Sequence, residues 1–138
     1  MSYLDKIQKG DPSANPFFNL MGISVESTEP GKTVLKMKVR PDMLNGAGWL
    51  QGGVLVAIAD EAMALALYPL LAPDEGIATI SESTSFVRGV KHGEIFAEGR
   101  VIRKGRRVAF TEAEVYLSGE EKEVLSRTSA AFAVTTKK

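Results

Sequence analysis

The chain has no cysteine, one histidine and one tryptophan, and its charges cancel, with 17 basic against 17 acidic residues over 138 positions. Without cysteine there are no disulfides, thiolate metal ligands or cysteine nucleophiles, which fits an intracellular protein. A balanced charge argues against a nucleic-acid binder that relies on whole-surface positive potential. The lone histidine, His92, sits in the turn-like "VKHGE" and reads as a solvent-exposed turn residue. No histidine-rich or acidic cluster completes a metal shell, so neither metal nor cofactor is predicted. Nucleotide motifs are missing too: "GAGWLQ" lacks the last glycine of Gly-x-Gly-x-x-Gly, and "GWLQGGVL" lacks the Lys-Ser/Thr of a P-loop. There is no Gly-x-Ser-x-Gly elbow. The first residues, "MSYLDKIQKGDPSANPFF", carry charges throughout and lack the apolar stretch of a secretory signal, so the cytoplasm is the expected compartment.

What is present is apolar mass. With 44% hydrophobic residues, 138 positions can bury one core, and residues 1–138 read as a single domain. The most hydrophobic segment, residues 54–72, holds two adjacent carboxylates, Asp60 and Glu61, near its middle. Its length approaches the ~20 residues that span a bilayer. Each carboxylate near the centre of a spanning helix costs about 2.5–3.5 kcal/mol, however. Pro69 also interrupts the run, and no Lys or Arg flanks it closely. The segment therefore reads as a core helix of a protein with no membrane partner, and a helix apolar on every side needs protein all round it.

The remaining segments supply that wrapping. In "TVLKMKVRP", Leu35, Met37 and Val39 alternate with Lys36, Lys38 and Arg40, the pattern of a half-buried strand. "GISVESTE" precedes it, and "GIATISESTSFVRG", "GEIFAEGRVIRK", "RRVAFTEAEVYLSG" and "EVLSRTSAAFAV" follow the helix with turn signals between them. This makes about six strands, two before the helix and four after, with "PFFNL" as a short N-terminal helix. Short connections make the strands antiparallel. The expected fold is α+β, one antiparallel sheet curled around one long apolar helix.

On that helix Asp60 shares a face with Gly53, Val56, Ala57, Met63, Ala64 and Leu67, among which there is no cation. A carboxylate so placed must reach a polar cavity or an interface, or hold an elevated pKa. The bland alternative is a loop cap at the edge of a dimer. Glu61 points about 100° away and is assigned a structural role. Ahead of the helix, Gly52 and Gly53 in "NGAGWLQGG" offer backbone N–H groups unshielded by side chains, a means of holding an anion or a developing oxyanion. Asp60 lies eight residues beyond Gly52, about 12 Å along the axis, too far to meet one small substrate atom within one subunit. A two-fold dimer resolves this by setting the turn of one subunit opposite the helix of the other.

The pattern Asn45, Gln51-Gly52-Gly53 and Asp60 resembles the signature of hotdog-fold acyl-CoA thioesterases of the PaaI-like (phenylacetyl-CoA thioesterase) group. In that group an Asn precedes His-Gly-Gly by six residues and an acidic residue follows the first Gly by eight. The order of elements agrees over nearly the whole chain, and the one departure is Gln51 in place of the histidine. The resemblance implies a hotdog fold, a homodimer with two shared sites, and often a tetramer of two dimers. It gives Gly52 as donor to the thioester carbonyl, Asp60 as nucleophile or general base, and Asn45 as support for the water or the carboxylate. Thr79 and Ser81 fall where relatives bind water through a hydroxyl. Gln51 and Gly53 flank the substrate, and Met63, Leu67, Trp49 and Phe86 line a pocket suited to an aromatic or medium-chain acyl group. Cations at strand ends, with Arg88 and Arg106 foremost among Lys91, Arg103, Lys104 and Arg107, would meet the CoA phosphates. The competing reading is a protein that binds acyl-CoA without turnover.

Overall fold

A computed structural model describes residues 2–119 and 121–136. Two short helices lead: α1 (Tyr3–Gln8), whose start is a capping box of Ser2 and Asp5, and α2 (Pro16–Met21), capped by Asn15 and ended by Gly22 at φ 74°. Gly22 suits that left-handed position because it has no Cβ. The order continues through β1 (Ser24–Glu29), β2 (Lys32–Lys38), α3 (Gly52–Leu67), β3 (Glu75–Phe86), β4 (Glu94–Lys104), β5 (Val108–Leu117) and β6 (Glu123–Thr136). The six strands and the α2 helix stand where periodicity placed them. α1 was not expected from the sequence, because six polar-rich residues show no period.

The strands form one antiparallel sheet in the order β1-β2-β4-β5-β6-β3. Alternate residues of the central strands, among them Leu35, Met37, Ile95, Ala97, Val115 and Phe132, are buried and face α3. The helix answers with Leu55, Ile58, Ala62, Met63 and Leu65, all at most 3% exposed. Gly99 lets it approach: a Cβ built there would lie 2.4 Å from the Ala62 carbonyl carbon. The stretch Gly52–Leu70 is long and apolar enough to cross a membrane, but in this fold it is the helix the sheet curls around.

Two departures from the expected picture matter. First, the sheet covers only one side of α3, and Val56, Ala57, Asp60 and Ala64 on the other side are half-buried. The N-terminal segment covers part of that side: Asn15 Nδ2 bonds the Tyr3 hydroxyl at 2.8 Å and Glu61 Oε2 at 3.4 Å, and the Tyr3 ring lies 5.1 Å from Tyr68. Glu61 thus ties α3 to the chain's first residues. Second, β3 is an edge strand with a bulge. Thr79 pairs with Phe132 and Ser81 with Ala131, so Ile80 is an extra residue. Thr79 faces the helix before the bulge, and Glu82, Thr84 and Phe86 face it afterwards.

Candidate active site

The chain enters α3 through a pinned turn. The Gln51 N–H bonds Met43 O at 3.0 Å, and the Leu50 N–H bonds Val90 O at 2.8 Å. Gln51 is the cap residue: its side-chain Oε1 accepts the Gly53 N–H, and its carbonyl accepts the Val54 N–H at 2.9 Å. The expectation that both glycine amides are free therefore holds for only one. Gly53 is satisfied by Gln51, while the Gly52 N–H, the first of the helix, has no acceptor among the described residues. It stands at the positive end of the helix dipole, where a developing oxyanion is favoured.

The Phe86 ring rests on Gly52, with Cε1 3.1 Å from where a Cβ would be. Around them a cavity of about 230 Å³ is lined by Leu50, Gly52, Leu55, Phe86, Val87, Arg88 and Gly89. Trp49 packs over Gly89, and the Lys91 ammonium sits 4.4 Å from the Trp49 ring centre. Arg88 lies at this end of β3, its guanidinium 3.4 Å from the Glu123 carboxylate.

Two helical turns on, Asp60 Oδ1 accepts a hydrogen bond of 3.0 Å from the Thr79 hydroxyl. On the same face of β3, the Glu82 carboxyl comes within hydrogen-bonding reach of Asp60. Desolvation and then the Asp60 charge raise its pKa to about 8. Sequence reading missed Glu82. Strict alternation in "TISES" puts Thr79 and Glu82 on opposite faces, and only the bulge at Ile80 brings both to the helix side.

Other expected site residues lie elsewhere. Ser81 points to the outer face of the sheet, in a groove with Ile102 and Phe110, because the bulge rotates it away from Asp60. Met63 is fully buried, its sulfur accepting the Thr111 hydroxyl at 3.2 Å, and Leu67 is core as well. Neither opens onto a cavity, since both face the sheet. The Asn45 side-chain oxygen shapes its own loop, accepting from the Ala47 and Trp49 amides at 2.9 and 3.1 Å. Arg106 is exposed in the β4–β5 turn near Lys104, whose ammonium lies 3.2 Å from Glu75 at the start of β3. That is the opposite end of β3 from Arg88, about 36 Å away at 3.3 Å per residue.

A family description named Thioesterase superfamily matches residues 47–124, more than half of the chain. The chain belongs to the thioesterase superfamily. By that membership this thioesterase is a thioester hydrolase. It is 28% identical over 116 residues to human acyl-coenzyme A thioesterase 13, covering 81% of each chain. It is also 30% identical over 99 residues to a provisionally assigned esterase of Saccharolobus solfataricus, covering 72% of this chain and spanning 65% of that one. A thioesterase family protein of Silicibacter pomeroyi shares the fold at a TM-score of 0.86, with 16% identity over 96% of this chain and 98% of that one. The hotdog fold expected from the sequence is thus the fold observed.

Proposed function

We propose that the protein hydrolyses an acyl-CoA thioester to free acid and CoA, with an aromatic or medium-chain acyl group favoured, at sites shared across a homodimer. The observation that carries this reading is the pairing of a free Gly52 amide at the head of α3 with a Thr79-held Asp60 on its half-covered side. The Gly52 N–H receives the oxygen of the thioester carbonyl as it becomes an oxyanion. Asp60 either attacks the carbonyl carbon itself or takes a proton from the attacking water. Collapse of the tetrahedral species breaks the C–S bond and releases CoA as thiolate; in the first route water then hydrolyses the acyl-aspartyl anhydride, and in both the thiolate takes up the proton that the water gives up. The acyl chain enters beside Phe86 and Trp49, where Leu50 and Leu55 line the cavity.

Gly52 and Asp60 lie about 12 Å apart along one helix, so one complete site needs two chains. The β3 edge favours the arrangement, being long and unpaired on one side, with Ile80, Phe86 and the adjoining Val87 each 58–60% exposed. Phe86 rests on Gly52 and Thr79 holds Asp60, so pairing Phe86 with the partner's Thr79 brings Gly52 to the partner's Asp60. Counting inward past the Ile80 bulge sets Ser83 on the two-fold axis. The same pairing carries Arg88 towards the end of the partner's strand where the partner's Arg106 stands, so cations from both subunits would meet the CoA phosphates.

The test is thiol release from a panel of short, medium, long and aromatic acyl-CoAs. Turnover of one class supports hydrolysis and names the acyl group. Saturable binding of the panel with no thiol released from any member would instead indicate a ligand-binding protein.

A further inference from the structure

Glu82 stands opposite the buried Ala130 on the helix-facing side of β3, and its Oε1 is buried with no hydrogen-bond donor among the described residues. Its polar neighbour is the Asp60 carboxyl. Two neighbouring carboxylates repel and neither can donate to the other, so a proton held between them relieves the repulsion. The Thr79 hydroxyl already directs Asp60 Oδ1 from one side.

We propose that Glu82 is a positioning residue for Asp60, donating its carboxyl proton in a hydrogen bond that holds the Asp60 carboxylate towards the substrate. The proposal rests on the reading of Asp60 as the reactive carboxylate. The Glu82 proton stays on Glu82 through the cycle. The proton taken from water passes by way of Asp60 to the departing thiolate, so the pair carries one negative charge before and after turnover.

The surroundings leave Asp60 as the dominant partner. From α3, Glu61 feels the Asp60 charge, but its carboxylate is taken by Asn15, whose Nδ2 donates to it. From β6 the inward residues are Thr128, Ala130 and Phe132, and from β3 they are Thr79 and Thr84, none of them charged. In the dimer argued above, the one carboxyl added nearby is the partner's Glu82, diagonal across the axis. Glu82 holds its proton up to about pH 8. Above that it ionises, the bond to Asp60 is lost and like charges face each other.

The experiment compares kcat against pH for the unmodified protein, Glu82→Gln and Glu82→Leu, each checked for unchanged folding and oligomeric state. The unmodified protein should lose kcat as pH rises through about 8. Glu82→Gln keeps an N–H donor that does not titrate, so it should retain most of the activity at pH 7 and show no such fall. Glu82→Leu has no donor and should lose about tenfold or more in kcat at every pH, with KM little changed. Superimposable profiles for the unmodified protein and Glu82→Gln, or full kcat in Glu82→Leu, would overturn the proposal. Carboxyl carbon NMR of the same proteins separates this from the thioesterase reading. A Glu82 titration near pH 8 that moves down in Asp60→Asn supports the pair even if no acyl-CoA is turned over. Turnover with Glu82 titrating in the ordinary carboxylate range refutes the pair and leaves hydrolysis standing.

Discussion

Asp60 was legible as the odd residue of the sequence, because a carboxylate among apolar neighbours on a core helix needs a reason. What holds it was only half legible. Thr79 was named, but Ser81 was named with it and Glu82 was not, since a one-residue bulge cannot be read from alternation. At this scale the first prediction concerns the Thr79 hydroxyl. Its 3.0 Å bond fixes the Asp60 carboxylate, so Thr79→Val should lower kcat roughly tenfold to a hundredfold in a protein that still folds. The second concerns Glu82 and stability. Its folded-state pKa of about 8 lies above the ordinary 4.5, so the folded state retains a proton that the unfolded chain releases. The contribution is complete below about pH 4.5 and is lost as pH rises through about 8. The melting temperature should therefore fall between pH 5 and pH 8, and fall less in Glu82→Gln. Equal falls in the two proteins would contradict this.

Among the elements, α3 and the strands were legible because their periods are strong. The sequence did not reveal how closely helix and sheet approach. Gly99 carries no signal in the strand pattern, yet it is where the α3 backbone touches β4. Adding a methyl group there presses on backbone that cannot rotate away. Gly99→Ala should cost about 1–3 kcal/mol or more, read as a lower urea midpoint with an unchanged m-value. The head of α3 teaches a related lesson. Two glycines suggested two free amides, but Gln51, standing where the resembling family has histidine, caps the helix by accepting the Gly53 N–H. Its place in the fold is thus fixed by capping, independently of any part it takes in binding.

For the whole molecule, the half-covered side of α3 and the bare edge of β3 support the proposed second copy, which the sequence offered as the way round the distance between Gly52 and Asp60. Composition could not supply the proposed register, which is argued from Phe86 resting on Gly52 and Thr79 holding Asp60. With Ser83 on the two-fold axis, Ser83→Cys should form a disulfide-linked dimer on mild oxidation, whereas Leu20→Cys, exposed on α2, should not. A monomer in solution, or cross-linking at Leu20→Cys alone, would contradict the shared site. The central claim, that the Thr79-held Asp60 carboxylate on the core helix drives thioester hydrolysis, is tested most directly by comparing thiol release for the unmodified protein, Asp60→Asn and Glu61→Gln on the best acyl-CoA of the panel. The account predicts that release is lost in Asp60→Asn and kept in Glu61→Gln. Full activity in folded Asp60→Asn would contradict it.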